Sequence, residues 1–128
     1  MEVNRGLVRV LVVEDEVMVA LRIHRDLEKA GYHVLPMATN AEEALEAVSE
    51  QPPDVVIMDI RLSDNDDGIE LAQTLWERYH MPLIFMSGYT DPDTLKRIRH
   101  FPKTGFLEKP VRFAQIDTTI YAVLKNPG

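Results

Sequence analysis

A regular change of hydrophobic period constrains this chain more than any other feature. Short apolar runs, the first and third rich in β-branched residues, recur at 8–13, 33–35, 54–58, 82–86 and 105–107. Runs of this length, bounded by Gly or Pro, read as buried strands of a parallel sheet. Five stretches of helical period lie between and after them. Ala20, Ile23, Leu27 and Ala30 recur at steps of three and four, and Gly31 follows as a stop. Asn40 with Glu43 makes a capping-box pattern that opens a second helix, which ends before Pro52-Pro53. Ile69, Ala72, Leu75 and Tyr79 stripe a third, closed by Pro82. Asp91-Pro92 caps a fourth that ends by Pro102, and Phe113, Ile116, Ile120 and Val123 stripe a fifth. Strict alternation of the two periods predicts an open parallel sheet with helices on both faces, and right-handed crossovers leave few topologies.

The 128 residues are enough for one domain and too few for two. Cysteine is absent, which removes disulfides, thiolate zinc sites and cysteine nucleophiles. The longest unbroken apolar runs, 17–21 and 120–124, are far short of the roughly 20 residues a membrane span needs. A formal charge of −7 disfavours direct binding of nucleic acid or anionic lipid. With no targeting pattern at the N-terminus, a soluble, cytoplasmic domain is expected.

In sheets of this kind the site lies at the carboxyl ends of the strands. Glu14-Asp15-Glu16 follow the first strand, Asp59 the third, Ser87-Gly88 the fourth and Lys109-Pro110 the fifth. Each has an ordinary explanation: acids favoured at a helix start, a loop aspartate, a turn serine, a solvated lysine. Their convergence on one rim is harder to dismiss. Clustered carboxylates repel unless a divalent cation bridges them, and oxygen ligands of this type suit magnesium. A lysine and a cation neutralise charge on a transferring phosphoryl group, a hydroxyl donates to it, and an aspartate is the nucleophile that forms an acyl phosphate.

These motifs resemble those of the receiver domain of two-component response regulators. Val12-Val13-Glu14-Asp15-Glu16, Val56-Ile57-Met58-Asp59, Met86-Ser87-Gly88 and Phe106-Leu107-Glu108-Lys109-Pro110 match in order, and the resemblance covers nearly the whole chain. It implies a flavodoxin-like (βα)5 doubly wound sheet of strand order 2-1-3-4-5, with residues 1–128 forming one receiver domain and no effector domain present. It implies Asp59 as phosphoacceptor, Asp15 as a direct Mg2+ ligand, Glu14 as a ligand through water, and the Arg61 backbone carbonyl as a further ligand, with Mn2+ able to substitute. Lys109 and Ser87 would assist transfer, Ser87 and Phe106 would form the switch, and the Lys109-Pro110 bond would be cis. The implied partners are a histidine kinase or phosphotransfer protein and a downstream protein or fused domain. The latter would meet the face of the fourth helix, fifth strand and fifth helix, where a phosphorylation-dependent homodimer could also form. The implied role is signalling rather than enzymatic turnover.

The sequence departs from the family's pattern twice. The loop 60–68 lacks a common Met-Pro step and is one residue longer, and Phe106 stands where a tyrosine is more frequent. The alternative of a haloacid-dehalogenase-type phosphatase using Asp59 needs a second aspartate two residues later, where this chain has Arg61, and a cap domain. A receiver that binds partners without phosphorylation is disfavoured by the complete set of acids, Ser87 and Lys109. Residues 64–68 suggest a calcium loop but place Ser63 and Thr74 where acids are required. His24, His33, His80 and His100 show no metal-ligand spacing. Lys96, Arg97, Arg99, His100 and Lys103 form a basic run expected to be a solvated helix face.

Overall fold

The computed structural model describes residues 4–62, 67–88 and 91–125. A 3-10 turn, Arg5–Leu7, precedes an alternating series: β1 Arg9–Val13, α1 Val17–Lys29, β2 His33–Val34, α2 Ala41–Glu50, β3 Val55–Asp59, α3 Gly68–Tyr79, β4 Leu83–Ser87, α4 Pro92–Arg99, β5 Thr104–Glu108 and α5 Phe113–Lys125. The strands form one parallel sheet in the order β2-β1-β3-β4-β5, the flavodoxin-like arrangement expected. No helix among the described residues is long and apolar enough to cross a membrane.

The central strands show no polar alternation because both of their faces are covered. On one face Leu11, Val13, Val56, Met58, Leu83 and Phe85 pack with residues of α2, α3 and α4. On the other, Val10, Val12, Ile57, Ile84 and Met86 pack with Ile23 and Leu27 of α1 and with Ile116, Ile120 and Val123 of α5.

β5, at the sheet edge, treats its two faces differently. A side chain at Gly105 would put its Cβ 2.3 Å from Thr119 Cγ2 and 3.2 Å from Val123 Cγ2, so glycine is what lets α5 lie close to the strand. The next residue, Phe106, faces the α4 side and is only partly buried there. α4 contributes one buried residue, Ile98. α5 is also tied at its outer surface: Asp117 accepts from Arg5 Nε at 3.2 Å and from the Tyr32 hydroxyl.

Several local expectations are corrected. β2 is only two residues long, while β3 and β4 each run on to include Asp59 and Ser87. Asn40 Oδ1 accepts from the Glu43 N–H at 2.8 Å, but the Glu43 carboxylate returns to the Thr39 N–H at 2.7 Å, one residue earlier than a capping box requires. Tyr79 is exposed rather than part of the buried stripe, and Leu71 is buried in that helix instead. The helix stops at Tyr79, where His80 adopts a left-handed conformation (φ 53°) as its cap. The basic run of α4 is exposed, yet Arg97 pairs with Asp67 at 3.0 Å rather than with solvent alone. Most of the rejected calcium pattern lies outside the described residues, as does part of the longer loop 60–68; Asp67, its described acid, caps α3.

Candidate functional site

Parallel pairing of β1 with β3 aligns Val13 with Met58, so Glu14 and Asp59 emerge side by side one step beyond. Carboxylate oxygens of Glu14, Asp15 and Asp59 lie within 4.8 Å of one another. α3 begins against this strand end: the Gly68 N–H donates to the Ile60 carbonyl at 2.8 Å. A Cβ on Gly68 would fall 2.2 Å from the Asp59 carbonyl oxygen, so no larger residue fits. Asp59 is therefore a buried strand terminus, not the loop residue of the ordinary reading.

Lys109 arrives from the far end of the sheet. Its backbone N–H donates to the Ser87 carbonyl at 2.8 Å, and the Lys109-Pro110 bond is cis. Its Nζ donates to Glu14 Oε2 at 3.0 Å and to Asp59 Oδ2 at 2.5 Å. The other oxygens are also engaged: Asp59 Oδ1 accepts from the Arg61 N–H at 2.9 Å, and Glu14 Oε1 from the Glu16 N–H at 3.1 Å. Glu16 precedes α1 without capping it by its side chain, so its acid is not spent on the helix end. Ser87 is buried at the end of β4, beside the Asp59 strand.

A cleft of about 480 Å3 opens here, lined by Asp15, Glu16, Asp59, Arg61, Ser87 and Lys109 among others. Glu14, bonded to Lys109 beside the cleft, has no exposed surface, and burial pushes its carboxyl up to about 7 against the opposing pull of Lys109. Burial alone would lower the Lys109 ammonium, but its bonds to Asp59 and Glu14 prevail and raise it. Lys109 and Arg61 against the four acids Glu14, Asp15, Glu16 and Asp59 leave the site short of positive charge. Hard oxygen donors with a charge deficit fit a divalent cation such as Mg2+.

Glu14, Asp15, Asp59, Arg61, Ser87 and Lys109 are thus brought together at one rim. Phe106 is not in the cleft; it sits on β5 in register with Phe85 and packs against the α4-side core. From sequence alone Asp67 has no role beyond marking the end of the lengthened loop and a place in the rejected calcium pattern. An acid directly before a helix-opening glycine is a cap signal, and Asp67 Oδ1 does accept from the Ile69 N–H at 2.8 Å.

The fold and rim define a flavodoxin-like α/β domain with an acid-and-lysine pocket at the carboxyl ends of its strands. A model of the response regulator receiver domain matches residues 10–121, and the chain belongs to that family of signalling phosphoacceptors. It is 28% identical over 108 residues to the transcriptional regulatory protein PdtaR of Mycobacterium tuberculosis, covering 84% of this chain and 52% of that one. It is 37% identical over 105 residues to the positive alginate biosynthesis regulatory protein of Pseudomonas aeruginosa, covering 80% and 42%. The chain therefore spans about half, or less, of these relatives. The signal receiver domain of a modulated diguanylate cyclase from Desulfovibrio desulfuricans superposes with a TM-score of 0.84 at 32% identity, covering 93% of this chain and 94% of that one. The receiver domain of Erythrobacter litoralis PhyR superposes with a TM-score of 0.81 at 27% identity, covering 96% of each.

Proposed function

We propose that this chain is the phosphoacceptor receiver of a two-component relay and that Asp59 takes the phosphoryl group. The observation that carries this is the cluster of three carboxylates within 4.8 Å, two of them bonded to Lys109. An Asp59 carboxylate oxygen forms the new bond to phosphorus, and the donor imidazole of a histidine kinase or phosphotransfer protein leaves with the P–N electron pair. Asp15, Asp59, the Arg61 carbonyl and, through water, Glu14 would hold Mg2+ or Mn2+. When bound, the cation supplies neutralising charge for the phosphoryl oxygens. Lys109 exchanges its bond to Asp59 for one to a phosphoryl oxygen, and the Ser87 hydroxyl donates to another.

Ser87 lies one strand from Asp59, and the half-buried Phe106 lies on the next strand over. Inward movement of Ser87 would give Phe106 space to rotate, altering the α4–β5–α5 face that a downstream protein, a fused domain or a second copy would meet. The acidic balance supports a protein partner rather than direct nucleic-acid contact. Residues 1–128 are read as a receiver unit acting in the cytoplasm. Arg61, where a dehalogenase-type phosphatase needs an aspartate, weighs against hydrolytic turnover.

The test is intact-mass measurement after incubation with a small acyl phosphate and Mg2+. One added phosphate is expected, absent in Asp59→Asn and after chelation. Equal labelling of Asp59→Asn overturns the assignment.

A further inference from the structure

We infer that Arg97 on α4 is a positioning residue for the Asp59 pocket, acting through its ion pair with Asp67. The inference rests on the phosphoacceptor reading and adds a route by which that pocket and α4 control each other.

The route is short and continuous. Arg97 Nη2 lies 3.0 Å from Asp67 Oδ2, while Asp67 Oδ1 caps α3 through the Ile69 N–H at 2.8 Å. The backbone of Asp67 forms an isolated antiparallel bridge with Arg61. Arg61 in turn donates its N–H to Asp59 Oδ1 at 2.9 Å. A displacement of α4 that pulls on Asp67 therefore reaches the residue bonded to the phosphoacceptor, two contacts away.

A weaker charge influence, short of a contact, runs the other way. Asp91 caps α4 by accepting the Thr94 N–H at 2.8 Å. Its carboxyl is held below the ordinary range chiefly by Thr94, with the Arg61 charge contributing. Asp67, the cap acid of α3, thus pairs with an arginine of α4, while the cap acid of α4 feels the Arg61 charge only weakly. Since α4 buries only Ile98, the Arg97–Asp67 pair adds to a light packing hold. An isolated surface pair is usually worth little, but this one joins two elements that share few other contacts.

The test separates cap from brace. Asp67→Asn keeps a capping oxygen and removes the charge; Arg97→Gln removes the cation, and Arg97→Lys retains it. Amide spectra of the full chain are recorded with Mg2+ alone and then with beryllium fluoride as phosphate analogue. In the wild type, Arg61 and residues 95–99 should shift together. In Asp67→Asn and Arg97→Gln the Arg61 response should persist while the α4 response falls by half or more, and Arg97→Lys should restore most of it. The Kd for Mg2+ should rise about two- to fivefold in each single variant, with the double variant no worse than either. An undiminished α4 response in both single variants overturns the inference alone, as does a double variant whose Kd change is the product of the two. No response at Arg61 in the wild type overturns the phosphoacceptor reading and this inference with it.

Discussion

β5 carries a helix on each face, and the two are held in different ways. α5 is 13 residues long, buries Ile116, Ile120 and Val123, and closes on the strand over Gly105. Its Asp117 is bound by Arg5 and Tyr32. α4 is eight residues long, buries Ile98 alone, and leaves Phe106 half covered. A fully buried aliphatic side chain contributes about 1.5–3 kcal/mol, so α5 is anchored more strongly by several kcal/mol. The helix with the weaker hold is also the one beside Ser87, Phe106 and the Arg61–Asp67 bridge. On the proposed reading, a small differential contact at the pocket would shift α4 more readily than α5.

The largest test of this contrast compares core truncations. Ile120→Ala should cost about 3–5 kcal/mol in urea unfolding, because its site is enclosed by sheet and helix. Ile98→Ala should cost less, about 2 kcal/mol, because a lightly packed edge relaxes around the loss. Amide exchange should show α4 opening at lower free energy than α5 already in the wild type. Equal protection of the two helices would remove the basis of the comparison.

Next in size is Gly105→Ala. The new methyl meets Thr119 and Val123, so about 1–3 kcal/mol should be lost and the altered amides should lie on α5 rather than α4. A loss below about 0.5 kcal/mol would mean that α5 shifts on β5 as readily as α4 does.

The smallest effect expected is at Asp117. Its carboxyl is held below the ordinary range, first by the Arg5 hydrogen bond and also by the Tyr32 hydroxyl, against burial. A depressed carboxyl stabilises the fold above its unfolded pKa, near 4, and that stability is lost as pH falls through the lower folded value. Asp117→Asn should therefore be less stable than wild type by about 1 kcal/mol at pH 6, and the gap should close below about pH 3 in thermal unfolding. A gap independent of pH would show that the ion pair contributes nothing to fixing α5.

Much of this asymmetry was hidden in the sequence, although the pocket was not. Asp59, Ser87 and Lys109 are legible because each follows a short apolar run, and parallel strands deliver such ends to one rim. Ile116, Ile120 and Val123 are legible by period. The Arg5–Asp117 and Arg97–Asp67 pairs join charged residues that are remote along the chain, where no periodicity marks a partner. Tyr79 fits the stripe of α3 yet is exposed, because the helix ends there and the next residue turns left-handed. Period finds the face of a helix but not where the protein stops covering it.

The strand order has a consequence for how the pocket comes into being as the chain is synthesised. β1 and β3 are neighbours, so folding of the first 60 or so residues already gathers Glu14, Asp15 and Asp59. Lys109, whose ammonium bonds Glu14 and Asp59, follows β5 and is placed when that strand docks on β4. Until then the three mutually repelling carboxylates lack the Lys109 bonds that offset their charge. Closure of the sheet edge is thus also the moment of charge compensation, which ties completion of the fold to the chemistry of its site.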